Sequence, residues 1–128
     1  MKRIVFVCVE NSNRSQMAEA FARMYGGVEA YSAGSRPSGK INPKAVEAMA
    51  NVGYDLAVHD SKSLADLPDV PFDVAVTMGC GDQCPTLKAM RHVEWFIPDP
   101  KEMPRAEFLA VRDFIASKVK ELLDDLKG

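Results

Sequence analysis

The sequence predicts an α/β chain in which helices cover a parallel sheet, and three features of its 128 residues carry that prediction. Apolar runs of strand length alternate with stretches of helical spacing. The first run, Ile4-Val5-Phe6-Val7, is apolar at every position, as a strand covered on both faces requires. A long amphipathic stretch closes the chain.

The elements follow in order. After Ile4–Val7 and a polar loop, Ser15 to Tyr25 sets Met17, Ala18, Phe21 and Ala22 at helical spacing, and Gly26-Gly27 ends the pattern. Val28 to Ala33 is a second short strand, followed by a glycine- and proline-bearing loop from Gly34 to Lys40. Asn42-Pro43 supplies an N-cap and a first-turn proline for a helix with Ala45, Met49 and Val52 on one face, stopping at Gly53. Asp73–Met78 and Val93–Ile97 are the remaining strands. From Glu107 onward Phe108, Val111, Ile115, Val119, Leu122 and Leu126 trace the closing helix. No repeat, linker or low-complexity segment interrupts this pattern, so residues 1–128 are expected to form one domain.

A parallel sheet collects functional groups beyond the carboxyl ends of its strands. Cys8 follows the first strand, Gly79-Cys80 the third and Pro98-Asp99 the fourth. All three are therefore expected on one edge of the sheet.

Composition bounds the rest. With 47% apolar residues, 27% charged residues and a net charge of −2, the chain is ordinary globular material. That charge argues against nucleic acid or an anionic membrane as a bulk partner, while leaving room for a small anion held by local positive potential. The apolar run near the amino terminus is too short to span a bilayer, and no signal-like cleavage pattern follows it, so the chain reads as cytoplasmic. In that compartment three cysteines, Cys8, Cys80 and Cys84, fit reactive thiols better than a structural disulfide.

The segment from Cys8 to Ser15 reads Cys-Val-Glu-Asn-Ser-Asn-Arg-Ser, with five residues between the cysteine and Arg14. A loop of this length between a strand and a helix can wrap its N–H groups inward, where the helix amino end adds positive partial charge. Val9, Glu10, Asn11, Ser12, Asn13 and Arg14 are the candidate oxyanion-binding residues. Arg14 offers a planar fork to a tetrahedral oxyanion. Cys8 in that field is stabilised as thiolate, and Ser15 can donate a hydrogen bond to its sulfur. Asn11 and Ser12 tolerate unusual backbone angles and can brace the loop. The bland alternative makes Cys8 a small core residue and Arg14 a solvated charge; the position between strand and helix favours function.

The run Val7-Cys8 to Arg14-Ser15, with Pro98-Asp99-Pro100 much later, resembles the low-molecular-weight protein tyrosine phosphatase family. Ser15-Gln16-Met17-Ala18-Glu19, Tyr31-Ser32-Ala33-Gly34 and Asn42-Pro43-Lys44-Ala45 resemble, more specifically, the thioredoxin-coupled arsenate reductases that share that fold. The resemblance covers almost the whole chain. It implies a three-layer flavodoxin-like fold with helices on both faces of a four-stranded parallel sheet in the order 2-1-3-4. It also implies arsenate or a phosphate-like oxyanion as substrate, thioredoxin or a similar dithiol as electron donor, no bound cofactor and a monomer.

Cys80-Gly81-Asp82-Gln83-Cys84-Pro85 separates a reductase from a phosphatase, because phosphate hydrolysis needs no thiol pair. In the expected sequence Cys8 attacks arsenic and Asp99 protonates the departing oxygen. Cys80 then attacks Cys8, releasing arsenite, and Cys84 attacks Cys80 to leave a disulfide for the external dithiol. Helical i, i+4 positions hold Cβ atoms about 5–6 Å apart, whereas a disulfide needs about 3.8 Å. The segment is therefore expected to change shape on oxidation, helped by Gly79, Gly81 and Pro85. The spacing is shorter than is usual in related reductases.

Two alternatives stay open. One is a phosphatase hydrolysing phosphomonoesters through a Cys8 phosphoenzyme. The other is a non-catalytic thiol protein binding arsenite or a soft metal; a zinc site is disfavoured because no second well-spaced ligand pair exists. Lys101-Glu102 stands where the phosphatases commonly have an aromatic residue, and Asn13 where both families often have a second cysteine. Some such reductases hold potassium beneath the loop, on residues that align with Asn11, Glu19, Ser32 and an acid near position 62. Lys62 stands there, and its ammonium can replace the ion by pairing with Glu19 and supporting Asn11, or else be a solvated surface lysine. His59 and His92 are expected at the surface or satisfied by neighbours. Met17, Met24, Met49 and Trp95 are expected to pack in the core.

Overall fold

The computed structural model describes residues 1–79 and 88–127. Within them, strands β1 (Lys2–Cys8), β2 (Val28–Gly34), β3 (Phe72–Met78) and β4 (Ala89–Trp95) form one parallel sheet in the order β2-β1-β3-β4. Helices α1 (Arg14–Tyr25), α2 (Pro43–Ala50) and α3 (Arg105–Lys127) pack against it, and short 3₁₀ turns occupy Leu56–Val58 and Leu64–Asp66. Both the sheet order and the parallel pairing match expectation.

The unbroken apolar run of β1 is explained by its place in the sheet. Ile4, Phe6 and Cys8 face the large cluster built with Met17, Phe21, Met49, Phe108 and Ile115, to which all three helices contribute. Val5 and Val7 face the other way, onto Phe72 and Ala75, with Leu64, Leu67 and Val70 packed beside them. A central strand covered on both faces has no solvent side on which to place polar residues. Burying each valine, isoleucine, methionine, leucine or phenylalanine among them contributes about 1.5–3 kcal/mol. Helix α1 lies against β1, β2 and α3, and is buried from Arg14 to Ala22.

Helix α2 begins as its residues dictate. The Asn42 side chain accepts from Lys44 N–H at 2.9 Å, and Pro43 occupies the first helical position. Its far end is clamped from α3, where the buried Arg112 guanidinium donates to Ala48 carbonyl and Asn51 Oδ1, each at 3.0 Å.

Two expectations need correction. The fourth strand spans Ala89–Trp95 rather than Val93–Ile97, and pairs with β3 from Phe72↔Ala89 to Met78↔Trp95. As an edge strand it buries only Trp95 among its seven residues, so its polar first half carries no hydrophobic signal. Met24 is 42% exposed instead of packing in the core, since it lies in the last turn of α1 beyond the buried face. Met17, Met49 and Trp95 are buried as expected. No helix among the described residues is long and apolar enough to cross a membrane.

Candidate active site

Cys8 ends β1 and Arg14 opens α1, so the loop between them leaves the carboxyl edge of the sheet and feeds a helix amino end. Its carbonyls are held from outside. Cys8, Val9, Glu10 and Ser12 carbonyls accept from the N–H groups of Ser35 (3.2 Å), Arg36 (2.9 Å), Ser38 (3.0 Å) and Asn42 (3.1 Å). The Asn11 carbonyl accepts from Gln16 Nε2 at 3.2 Å, and the Asn13 carbonyl from Met17 N–H at 2.9 Å. A trans peptide points its N–H opposite to its C=O, and the chain has no cis peptide among the described residues. Turning these carbonyls outward therefore turns the N–H groups of Val9 through Arg14 inward, which is a cradle for an anion.

Asn11 makes the turn possible by adopting φ +52°, a conformation that asparagine tolerates better than most residues. Close packing behind it requires glycine. A Cβ on Gly34 would stand 2.5 Å from the Val9 carbonyl oxygen and 3.0 Å from Asn11 N.

A hydrogen-bond chain runs from this loop into the molecule, and its directions can be assigned. Gln16 Nε2 donates to Asn11 Oδ1 (2.8 Å), Asn11 carbonyl (3.2 Å) and Asp60 carbonyl (2.8 Å), which only an amide nitrogen can do. Asn11 Oδ1 also accepts from Lys62 N–H at 2.8 Å. With its oxygen so engaged, Asn11 turns Nδ2 to Ser15 Oγ at 2.7 Å. The Ser15 hydroxyl receives that bond and keeps its own proton for Cys8 Sγ at 2.9 Å. A hydrogen bond donated to sulfur favours the thiolate.

At the other end Gln16 Oε1 faces His59 Nδ1 at 2.9 Å, and His59 Nε2 faces Tyr54 Oη at 2.6 Å. An amide oxygen accepts, so Nδ1 carries the proton and Nε2 accepts from the Tyr54 hydroxyl. Burial lowers the His59 pKa below its ordinary 6.5, which agrees with this neutral tautomer. Glu19 opposes the fall while Arg23 and Lys62 reinforce it. Burial likewise raises the Tyr54 pKa. His59 is thus satisfied by neighbours and His92 is exposed, within the range expected for both.

Glu19 lies buried beneath the loop. Ser32 Oγ donates to its Oε1, Arg23 Nη2 stands 2.7 Å from Oε2, and Lys62 Nζ stands 3.8 Å from Oε1. The Lys62 ammonium thus pairs with Glu19, but Asn11 is held by the Lys62 peptide N–H and not by the ammonium. An alkali ion here would have to share one carboxylate with two cationic side chains. The residues present do not fit such an ion.

Cys8, Val9, Glu10, Ser12, Asn13, Arg14, Gly79, Asp99 and Lys101 line one cavity of about 380 Å³. The edge expected to gather Cys8 and Asp99 does so, and Ser15 reaches the cavity through Cys8. Asn11 is fully buried behind the wall rather than in it. Arg14 Nη1 donates to the Ile97 carbonyl at 3.0 Å, fixing the guanidinium from the stretch after β4. Asp99 is exposed, and its Oδ1 accepts from Lys101 N–H at 3.0 Å, which orients the carboxyl. Cys80 and Cys84 lie outside the described residues.

Sequence reasoning missed the contacts that four residues make, reading Gly79 only as a loosening glycine at the sheet edge and Lys101 only for what it replaces. Gly79 (φ +72°) lies so close to Arg14 Nη1 that no Cβ fits there; a glycine directly after a strand of a parallel sheet was the signal available. Gln16 and His59 build the chain behind Asn11, and nothing local links residues 43 positions apart. Lys101 turns back over the cavity to Glu10.

Comparison with known proteins bears on this arrangement. A family model described as low molecular weight phosphotyrosine protein phosphatase matches residues 3–128. Arsenate reductase 2 of Staphylococcus saprophyticus is 38% identical over 130 residues, covering 97% of this chain and 98% of that protein. A solved structure of an arsenate reductase in the phosphate binding state superposes with a TM-score of 0.88 at 31% identity, covering 98% of each chain. The Corynebacterium glutamicum thioredoxin-dependent arsenate reductase superposes with a TM-score of 0.80 at 30% identity, covering 99% of this chain and 62% of that one.

Proposed function

The chain belongs to the low molecular weight phosphotyrosine protein phosphatase family, and on that premise we propose that it reduces arsenate to arsenite through a relay of Cys8, Cys80 and Cys84. Arsenate reductase activity is the property that the full-length similarity to arsenate reductases supports. One observation carries the assignment of the nucleophile. Cys8 Sγ lies 2.9 Å from the Ser15 hydroxyl oxygen, in a cavity that Arg14 and Asp99 share.

The cavity supports the first step of the proposed reaction, and the similarity to arsenate reductases supports the rest. Arsenate enters the cradle of inward N–H groups, and the Arg14 fork neutralises its charge. The Cys8 thiolate attacks arsenic while Asp99 protonates the departing oxygen, which leaves as water. Cys80 thiolate then attacks Cys8 Sγ. The sulfur–arsenic bond breaks, its electron pair stays on arsenic, and arsenite departs as a Cys8–Cys80 disulfide forms. Cys84 attacks Cys80, freeing Cys8 and moving the disulfide to Cys80–Cys84. Thioredoxin or a similar dithiol reduces it; among the relatives, the Corynebacterium protein is described as thioredoxin-dependent.

The cradle also suits phosphate, so weak phosphomonoester hydrolysis through a Cys8 phosphoenzyme is the second reading, favoured by the family itself. Arsenate-dependent NADPH consumption with thioredoxin and thioredoxin reductase separates the two. No Cys→Ser variant at position 8, 80 or 84 is expected to turn over. Cys80→Ser and Cys84→Ser are expected to keep any phosphatase activity. Full multiple turnover by Cys84→Ser would remove that residue from the relay.

A further inference from the structure

The cavity over Cys8 contains a cation and an anion that the reaction above leaves unused. Lys101 and Glu10 both line it, and Lys101 Nζ lies 3.2 Å and 3.3 Å from the two Glu10 carboxylate oxygens. The two residues come from different elements, Glu10 from the loop after β1 and Lys101 from the stretch after β4. A carboxylate in a cavity built for an anion is unfavourable by itself, because like charges repel across the same few ångströms that favour Arg14.

The backbone beneath Lys101 is tied down, while among the described residues its side chain is held only by the exposed pair with Glu10. Lys101 N–H donates to Asp99 Oδ1 at 3.0 Å, and the Lys101 carbonyl accepts from Lys44 Nζ at 3.2 Å. The side chains of Lys101 and Glu10 are 49% and 37% exposed. An ion pair that open to water is weak, and the flexible four-carbon stem lets the ammonium exchange a single carboxylate for a more highly charged partner.

Resting on the reading of this cavity as an oxyanion site, we propose that Lys101 is a substrate-binding residue. Its ammonium rests on Glu10 when the cavity is empty and transfers to the oxyanion when one binds in the loop, as a second cation beside Arg14. Glu10 is then the resting partner that holds the ammonium at the cavity. The pair acts on binding; the chemical step keeps Cys8 and Asp99.

The test needs a readout of binding apart from turnover. Phosphate protection of Cys8 against iodoacetamide, followed on the Cys8 peptide and normalised to the rate without phosphate in each variant, supplies it. Lys101→Met is expected to raise the half-protecting phosphate concentration about tenfold, the size of one lost charge-assisted hydrogen bond. The KM for arsenate should rise in parallel with kcat unchanged, and Lys101→Arg should restore most of the loss. Glu10→Gln with Lys101→Met should still bind several-fold more weakly than Glu10→Gln alone. Equal affinity of those two proteins would overturn the proposal, because Lys101 would then act only by masking Glu10. Unchanged protection in Lys101→Met would overturn it as well. Protection without any arsenate-dependent turnover in the wild type would count against the reductase reading and leave the Lys101 comparison intact.

Discussion

Asn11 Nδ2 stands 2.7 Å from Ser15 Oγ, and this one contact determines which way the Ser15 proton points. Because the hydroxyl oxygen is receiving, its hydrogen is free to face Cys8 Sγ. Asn11→Asp reverses the arrangement. The carboxylate accepts from Ser15 and draws the proton away from sulfur. Iodoacetamide alkylation of Cys8 at neutral pH is expected to slow about tenfold, roughly 1.4 kcal/mol, the size of one hydrogen bond to a charged group. Ser15→Ala should lose as much, and the double variant little more, because one interaction is removed in each case. Additive losses would show that the two residues act separately.

Gly79 controls Arg14 by leaving room for it. Gly79→Ala introduces a Cβ against Nη1 and adds roughly 1–2 kcal/mol of left-handed backbone strain. The guanidinium has to move, which breaks its bond to the Ile97 carbonyl. Titration calorimetry with phosphate should show affinity reduced at least about tenfold. A variant binding phosphate as tightly as the wild type would mean that Arg14 has freedom the contact does not suggest.

His59 links acidity to stability. Burial holds its pKa below 6.5 in the folded state, so the unfolded chain binds the extra proton first as pH falls. Stability therefore rises with pH across that interval. It is lost on acidification from about pH 6.5 and levels off once the folded-state value is passed. His59→Asn offers an amide N–H where the imidazole has Nδ1–H, keeps the contact to Gln16, and should abolish this part of the slope. Urea midpoints at about pH 5.5 and about pH 7.5 measure it. An identical slope in the variant would assign the effect to another group.

Arg112 joins two helices through a buried charge. Its Nη1 satisfies Ala48 carbonyl and Asn51 Oδ1 at the carboxyl end of α2, while Nη2 pairs with Asp113 at 2.7 Å. Arg112→Ala leaves those acceptors without it and is expected to cost roughly 2–3 kcal/mol of stability. Urea unfolding should show it as a lower midpoint at unchanged slope. A midpoint shift too small to measure would show that water replaces the guanidinium without loss.

Legibility in the sequence tracked how local each feature is. The loop between β1 and α1 was readable because Cys8, Arg14 and Ser15 are neighbours, and β1 because burial on both faces leaves an unbroken apolar run. The edge strand β4 was displaced because Arg91, His92 and Glu94 face water and mask its first half. Gln16 and His59 were invisible as partners because a fold-level contact joins them, and Lys101 was read only for what it replaces. Its reach to Glu10 spans 91 positions.

The loop after β1 takes its shape from donors on the segment 35–42, on Gln16 and on Met17, all acting on main-chain carbonyls. A surface made of peptide groups is indifferent to most side-chain replacement. Val9 and Glu10, both partly exposed, can therefore change identity without deforming the receptacle, and such changes retune the charge at its rim while its outline persists. Diversification of preference among close chemical relatives is accordingly available by single substitutions at the rim. The donors of the 35–42 segment are main-chain N–H groups as well, so a proline, an insertion or a deletion there, rather than an ordinary side-chain replacement, is what would deform the receptacle.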